Sequence, residues 1–285
     1  MRSFLFVPGD SEKKLGKAMG TGADALIVDM EDSVALSRKD AAREITPAFV
    51  AENRGKGVAL YVRVNAFDTG MIYRDLAAVM AAKPDGIMLP KAVGQGDIDT
   101  LSIALSALEA REGTEEGTTR IFSVATETAE AVLSLGQKIV HPRLAAMTWG
   151  AEDLSASLSA QVKHGADGQY LAPFLHARNM CLFASRASGV LPVDSVYPDT
   201  RDLAGLEAET IAGRDIGFGA KCAIHPAQIE VINRVYTPTE EQLAWARKIK
   251  AAFDAEPDAG VLNLDGQMID RPHLRLAERL LLLAP

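Results

Sequence analysis

Cysteine is scarce in this sequence: two residues in 285, Cys181 and Cys222, in separate segments and without metal-type spacing. That excludes a disulfide framework and predicts two reduced, partly buried thiols of a cytosolic protein. Histidine and cysteine nowhere cluster, so nothing favours zinc. Basic residues are in the minority. The formal net charge of −8 and pI near 5.2 argue against nucleic acid as a main partner, because phosphate binding needs a positive surface. No apolar run approaches the ~20 residues needed to span a bilayer, and the opening stretch Met1–Pro8 is too short for a signal peptide. A soluble, cytoplasmic chain is expected. GxGxxG and GxxxxGK[ST] motifs are missing after every candidate strand, which lowers dinucleotide and P-loop readings. Internal repeats and low-complexity segments are missing too.

What the chain has is a regular alternation. It is 48% hydrophobic and 24% charged, enough for a sizeable core. Strand candidates fall at Ser3–Val7, Ala25–Asp29, Ala59–Val64, Gly86–Pro90, Ile121–Ala125, Ala145–Trp149, Val190–Val193 and Lys221–Ile224. Several are continuous apolar runs, as expected of parallel strands buried on both faces. Between them lie helix-length segments such as Glu12–Met19, Tyr73–Ala82, Asp97–Arg111, Glu127–Leu135, Ala172–Ser188 and Asp199–Gly217. Eight strands with intervening helices fit a (β/α)8 TIM barrel better than an open sheet. Residues 1–235 are assigned to that barrel and 236–285 to a C-terminal helical lid or arm. The tail reads as a helix, Glu240–Ala255, with Thr239 as its N-cap. An extended stretch with a Gly266 turn (Val261–Asp270) and a last helix (Pro272–Leu283) follow it.

Active-site groups of such barrels gather at the C-terminal strand ends. Here those ends carry Asp10, Asp29, Glu31, Asp32, Arg63, Asn65, Lys91, Glu127, Glu152, Asp153, Asp194 and His225. So many carboxylates at one mouth repel one another unless protonated, paired or metal-bound. Oxygen-only ligation by one or two of them, completed by water and substrate, is the magnesium pattern. Taken singly, each acid reads more readily as a helix cap or ion-pair partner, Asp32 above all, since it could pair with Arg38 or cap a following helix; for the group, a metal site is the better explanation. Arg63, ending an otherwise apolar strand, needs a buried anionic partner. It serves either as a bridge to Asp29 or Glu31 or as a clamp for a substrate oxyanion. Lys91, among acids, should stay charged and not act as a Schiff-base amine. His225 reads as a hydrogen-bonded loop residue, and the Lys13-Lys14-Lys17 cluster as a solvated helix face unless an anionic cofactor lands there.

These residues also carry a family resemblance. Phe4–Gly9, Ile27–Val34, Val62–Asn65, Met88–Lys91, Thr126–Ala129, Gly150–Leu154, Leu191–Asp194 and Ala223–Gln228 resemble, in order, the citrate lyase β-subunit and malyl-CoA/citramalyl-CoA lyase group of the HpcH/HpaI aldolase superfamily. The resemblance implies a barrel of the phosphoenolpyruvate/pyruvate type assembled as homotrimers or hexamers. It implies Mg2+, with Mn2+ able to substitute, held by Glu127 and Asp153. The substrate would be bound by Arg63, Glu127, Asp29, Glu31, Lys91 and Pro192. Arg63 matches the arginine beside the developing enolate oxygen. Gly266–Asp270 resembles the lid segment of stand-alone CoA lyases, which makes Asp270 an acid/base delivered to a neighbouring subunit. Phe6 and Lys17 fall where that family receives CoA, although Ser11 stands where some malyl-CoA lyases have arginine.

The implied reaction is Mg2+-dependent cleavage of citramalyl-, malyl- or citryl-CoA to acetyl-CoA and a 2-oxo acid. Three alternatives stand beside it. One is a citrate lyase β-subunit acting on an acyl-carrier-protein thioester, and another a metal-dependent aldolase for free 2-oxo acids. The third, of a different class, is a non-catalytic assembly subunit.

Overall fold

All eight predicted strands form, each within one residue of its expected bounds: β1 Ser3–Pro8, β2 Ala25–Asp29, β3 Ala59–Arg63, β4 Gly86–Leu89, β5 Arg120–Val124, β6 Leu144–Thr148, β7 Leu191–Asp194 and β8 Ala220–Ala223. In this computed structural model, which describes residues 1–284, they pair in parallel and close into a barrel, β8 returning to β1. The expected TIM barrel is therefore the fold. The continuous apolar runs follow from it: β2 and β4 are buried along their whole length, one face toward the barrel interior and the other toward the helices.

The interior is filled by alternate residues of successive strands, among them Phe4, Ile27, Tyr61, Met88, Phe122 and Val193. Phe4 meets Phe122 and Tyr61 edge to face at centroid distances of 5.1 and 5.9 Å. The Tyr61 ring fixes the residue opposite it, because a Cβ on Gly86 would lie 2.3 Å from Tyr61 Cε1. Glycine is the residue that lets this ring into the barrel. Cys181 and Cys222 are buried and free, and burial pushes both thiols up to about 12.

The connecting helices are α1 Glu12–Ala18, α2 Lys39–Asn53, α3 Ile72–Val79, α4 Gly94–Arg111, α5 Ala129–Ser134, α6 Ala151–Ser157, α7 Ala172–Ser188, α8 Leu203–Ile216 and α9 Ile229–Tyr236. The sequence pattern does not announce α2, which carries Pro47 in its interior and mixes its apolar positions with Arg43, Glu44 and Glu52. No described helix is long and apolar enough to cross a membrane.

The chain divides into two compact units, Met1–Asn233 and Arg234–Pro285. The second contains α10 Glu240–Ala255, a hairpin of β9 Val261–Leu264 and β10 Gln267–Asp270, and α11 Arg271–Leu281. Thr239 caps α10 as expected: its hydroxyl accepts from Gln242 N at 3.2 Å, and Gln242 Oε1 accepts from Thr239 N at 2.9 Å. The Asp265-Gly266 turn has φ of 51° and 83°, the left-handed pair that a two-residue hairpin needs. Ala246, Ile249, Phe253, Ile269 and Ala277 form this unit's own small core.

Candidate active site

The cavity at the C-terminal mouth of the barrel has a volume of about 360 Å³ and is lined by Arg63, Glu127 and Asp153 together with Phe6, Met88 and Trp149. Its shape begins with a ladder contact. Asp29 and Arg63 end neighbouring strands and are register partners. Arg63 therefore donates twice to Asp29, Nε to Oδ1 at 2.8 Å and Nη2 to Oδ2 at 2.7 Å. Asp29 also accepts from the backbone N–H groups of Glu31 and Ser33 at 2.9 and 3.0 Å, which folds the loop after β2 back over the strand end. Burial works against both charges, but the pair prevails: Asp29 is held below the usual carboxylate range and Arg63 above its usual value.

Of the two readings of Arg63 left open by the sequence, the bridge to Asp29 is present. Two nitrogens make the bridge to Asp29. The third, Nη1, lies 3.0 Å from Glu31 Oε2 and 3.7 Å from the exposed Asp32, and the guanidinium carbon stacks 4.8 Å from the Phe6 ring centre. The Glu31 contact lacks hydrogen-bond alignment, so Oε2 is buried without a hydrogen bond. Asp32 does not take the expected partner, because Arg38 pairs with Asp10 at 3.2 Å instead.

Lys91 and Glu127 come from adjacent strand ends. Lys91 sits two residues beyond β4 with φ of 52°, and this left-handed turn aims its N–H at Glu127 Oε2, 2.5 Å away. Its ammonium donates to Glu31 Oε1 at 2.6 Å and lies 3.3 Å from Asp153 Oδ1. Burial opposes that charge, but Glu31, then Glu127 and Asp153, hold it above the usual lysine value. A Schiff-base amine is thereby disfavoured. Glu127 itself is 3% exposed, just before Thr128, whose hydroxyl accepts from Ala131 N and starts α5. Gly150, after β6, makes room for it: a Cβ there would meet Glu127 Cγ at 2.6 Å.

The carboxylates can now be sorted by their counter-charges. Asp194 is fully buried and answered by Arg178 Nη2 at 2.6 Å, Trp149 Nε1 at 2.7 Å and Lys221 at 3.6 Å. It is an anchor for the mouth and not part of a metal cluster. Glu152 is exposed and paired with Lys163. Asp29 has Arg63, and Glu31 and Asp153 share Lys91. Among the described residues, Glu127 has one amide N–H and no cation of its own. Burial, reinforced by the Asp153 charge, pushes its carboxyl up to about 8. Two carboxylates facing one cavity with too little positive charge suit a small, hard divalent cation. Among the described residues no three His, Cys, Asp or Glu side chains converge as a ligand set. Glu127 and Asp153 could hold such an ion, with water and substrate completing the shell.

Lys17 and Pro192 are not among the residues that line the cavity. Lys17 is exposed in the last turn of α1, as are Lys13 and Lys14 before it. Pro192 lies within β7, opposite Met147; two and three residues after β7's Val193, the strand gives way to Ser195 and Val196, which line the cavity. Asp270 belongs to the second unit. It caps α11, and its Oδ1 sits 2.6 Å from His273 Nδ1. His225 caps a short turn through its ring, which accepts from Ala227 N.

Lys39 and Asn65 hold the acidic loop, although only Asn65 stood out in the sequence. Lys39 donates to Met30 O and Glu31 O at 2.8 and 2.7 Å, and Asn65 Nδ2 donates to the same Met30 O at 3.1 Å. In sequence, Lys39 sits in Arg38-Lys39-Asp40 and resembles any solvated helix start.

Comparison with known proteins identifies the family. The C-C bond lyase family of the TIM-barrel fold matches residues 175–285. A (3S)-malyl-CoA thioesterase of Cereibacter sphaeroides is 35% identical over 282 residues, covering 98% of this chain and 93% of that protein. Citrate lyase subunit beta of Leuconostoc mesenteroides subsp. cremoris is 32% identical over 285 residues, covering 99% and 93%. Among solved structures, protein CitE of Mycobacterium tuberculosis in complex with magnesium, acetoacetate and coenzyme A superposes with a TM-score of 0.76 at 32% identity, covering 99% of this chain and 97% of that one. The family described as HpcH/HpaI aldolase/citrate lyase matches residues 2–226, and the chain belongs to it.

Proposed function

We propose that this protein is a magnesium-dependent carbon–carbon lyase that cleaves a short 3-hydroxyacyl-CoA (citramalyl-, malyl- or citryl-CoA) to acetyl-CoA and a 2-oxo acid. The observation that carries the reading is the cation deficit at Glu127 and Asp153, set beside Arg63 Nη1 in one cavity. Bound there, Mg2+ would offset the charge of the carboxylate and acidify the hydroxyl that loses its proton to become the carbonyl of the 2-oxo acid. The CitE structure named above holds both magnesium and coenzyme A, which supports the same pair of ligands here.

The chain's own groups then divide the remaining work. Arg63 cannot shed its proton, and Asp29 fixes two of its nitrogens, so Nη1 offers a pre-aimed charge to an oxygen that becomes anionic. Such donors contribute about 3 kcal/mol to a developing oxyanion. Lys91 and Glu31 form the charged wall beside it, and Phe6 and Trp149 supply apolar surface. Asp270 would give a proton to the thioester α-carbon, or remove it in the reverse direction, as a neighbouring copy's contribution within a homotrimer or hexamer. Lys17 and Phe6 remain our assignment for the CoA moiety, and Pro192 for the acyl pocket.

A second reading, thioester hydrolysis, is favoured by the 35% identity to a (3S)-malyl-CoA thioesterase. One experiment separates the two: purified protein is incubated with each of the three CoA esters, with Mg2+ and with EDTA, and the products are identified by mass spectrometry. Acetyl-CoA plus a 2-oxo acid supports cleavage, whereas free CoA plus the intact hydroxy acid supports hydrolysis. No metal-dependent turnover of any ester overturns the proposal.

A further inference from the structure

One residue touches both proposed metal ligands. The Lys91 backbone N–H holds Glu127 Oε2 at 2.5 Å, and the Lys91 ammonium reaches Asp153 Oδ1 at 3.3 Å while donating to Glu31 Oε1 at 2.6 Å. Its backbone adopts the left-handed conformation, φ 52°, which an L-residue adopts only against a cost and retains where its surroundings enforce it. The two ammonium contacts are unequal. The one to Glu31 is a short hydrogen bond with a carboxylate 5% exposed, and the one to Asp153 is a looser ion contact with a side chain 31% exposed toward solvent and the cavity.

We infer that Lys91 is a built-in counter-ion that competes with the divalent cation for Asp153. Without metal, its ammonium bridges Glu31 and Asp153 and offsets part of their mutual repulsion. When metal enters, Asp153 is surrendered and the ammonium falls back on Glu31, where its stronger bond already lies. The same residue's amide keeps Glu127 Oε2 occupied, which leaves Oε1 for the ion. The metal site is thus held ready at the expense of affinity. A lysine here should weaken Mg2+ binding, although it sits where a substrate-binding role would be sought.

This inference rests on the reading that Glu127 and Asp153 hold the metal. Its test is titration of Mg2+ into metal-free wild-type, Lys91→Met, Lys91→Gln and Lys91→Arg proteins by calorimetry, with Asp153→Asn as a control. All three substitutions keep an unbranched Cβ-bearing side chain, so the backbone conformation is disturbed equally. Lys91→Met and Lys91→Gln should bind Mg2+ about tenfold tighter than wild type, about 1.4 kcal/mol. Lys91→Arg should stay within about threefold of wild type. The neutral variants should also melt at lower temperature without metal and gain more from saturating Mg2+ than wild type does. Equal or weaker Mg2+ affinity in both neutral variants overturns the counter-ion role and leaves the ligands standing. Absence of Mg2+ binding by the wild type, or undiminished binding by Asp153→Asn, overturns the ligand reading itself.

Discussion

The Glu109–Arg143 pair, at the end of the barrel opposite the cavity, gives a stability prediction that involves no metal or substrate. Glu109, in α4, is fully buried, and Arg143 immediately precedes β6 with 3% exposure. Arg143 donates Nη1 to Glu109 Oε1 at 2.8 Å and Nη2 to Oε2 at 2.6 Å, and the N–H groups of Thr119 and Gly117 add bonds of 2.8 and 2.9 Å. Burial alone would raise the Glu109 carboxyl, but these donors lower it from 4.5 to about 2. Its contribution is therefore complete above the unfolded value of 4.5 and is lost as pH falls toward 2. That difference in pKa corresponds to about 3 kcal/mol at neutral pH, of which about 2 kcal/mol is gone by pH 3. Glu109→Gln should cost about 3 kcal/mol at pH 7, in line with the ~3–5 kcal/mol for breaking a buried pair. The gap to wild type should narrow to about 1 kcal/mol at pH 3. Urea unfolding in a Trp245→Phe background reads the barrel through Trp149, and the comparison of variant with wild type cancels the titration of other acids. A gap that stays constant between pH 7 and pH 3, or one below 1 kcal/mol at pH 7, refutes the argument. Because this end of a barrel serves stability, Mg2+ affinity in folded Glu109→Gln should match wild type.

Asp153→Asn should abolish metal-dependent turnover while the metal-free protein keeps its circular dichroism spectrum; full retained activity would remove Asp153 from the metal site. Gly150→Ala places a methyl 2.6 Å from Glu127 Cγ and should lower turnover at least ~100-fold by displacing that carboxylate. An unchanged kcat in this variant would mean that the close approach is immaterial. Arg63→Ala and Asp270→Ala, each inactive alone, should regain activity on mixing if Asp270 completes a neighbouring copy's site. A mixture that stays inactive after mass spectrometry confirms mixed oligomers counts against that arrangement.

The barrel was legible because its signal is local and repeated. Buried parallel strands must be apolar on both faces, so β2 and β4 stand out as short runs, and polar residues mark where each strand leaves the core. The hairpin in the second unit was legible from Gly266, since its φ of 83° is cheap only for glycine. The sorting of the acids was not legible. Asp29, Glu127 and Asp194 look alike in sequence, and their fates depend on which cation the register brings alongside. Asp29 meets Arg63 because β2 and β3 pair residue for residue, whereas Asp194 meets Arg178 on a helix sixteen residues earlier. Lys39 was invisible for the same reason, as its two carbonyl partners are supplied by the returning loop after β2.

The acidic mouth thus resolves the repulsion among its carboxylates in three different ways, and the differences separate framework from chemistry. Asp29 and Asp194 each receive full hydrogen-bonded cationic partners, and both are held below the usual carboxylate range even though burial pushes the other way. Such groups are settled; they fix Arg63 and Trp149 in place. Glu31 and Asp153 divide a single ammonium, a compromise that a competing cation can upset. Glu127 is left with one N–H and a carboxyl pushed up to about 8. A carboxylate that the protein buries, surrounds with other acids and leaves without a cation costs stability in the metal-free chain. That cost has a rationale when the missing positive charge arrives from outside. Among the described buried acids at the mouth, Glu127 has that unmet need, and Asp153 is the half-buried neighbour able to share it. The deficit, more than the number of acids at the mouth, argues for metal chemistry here.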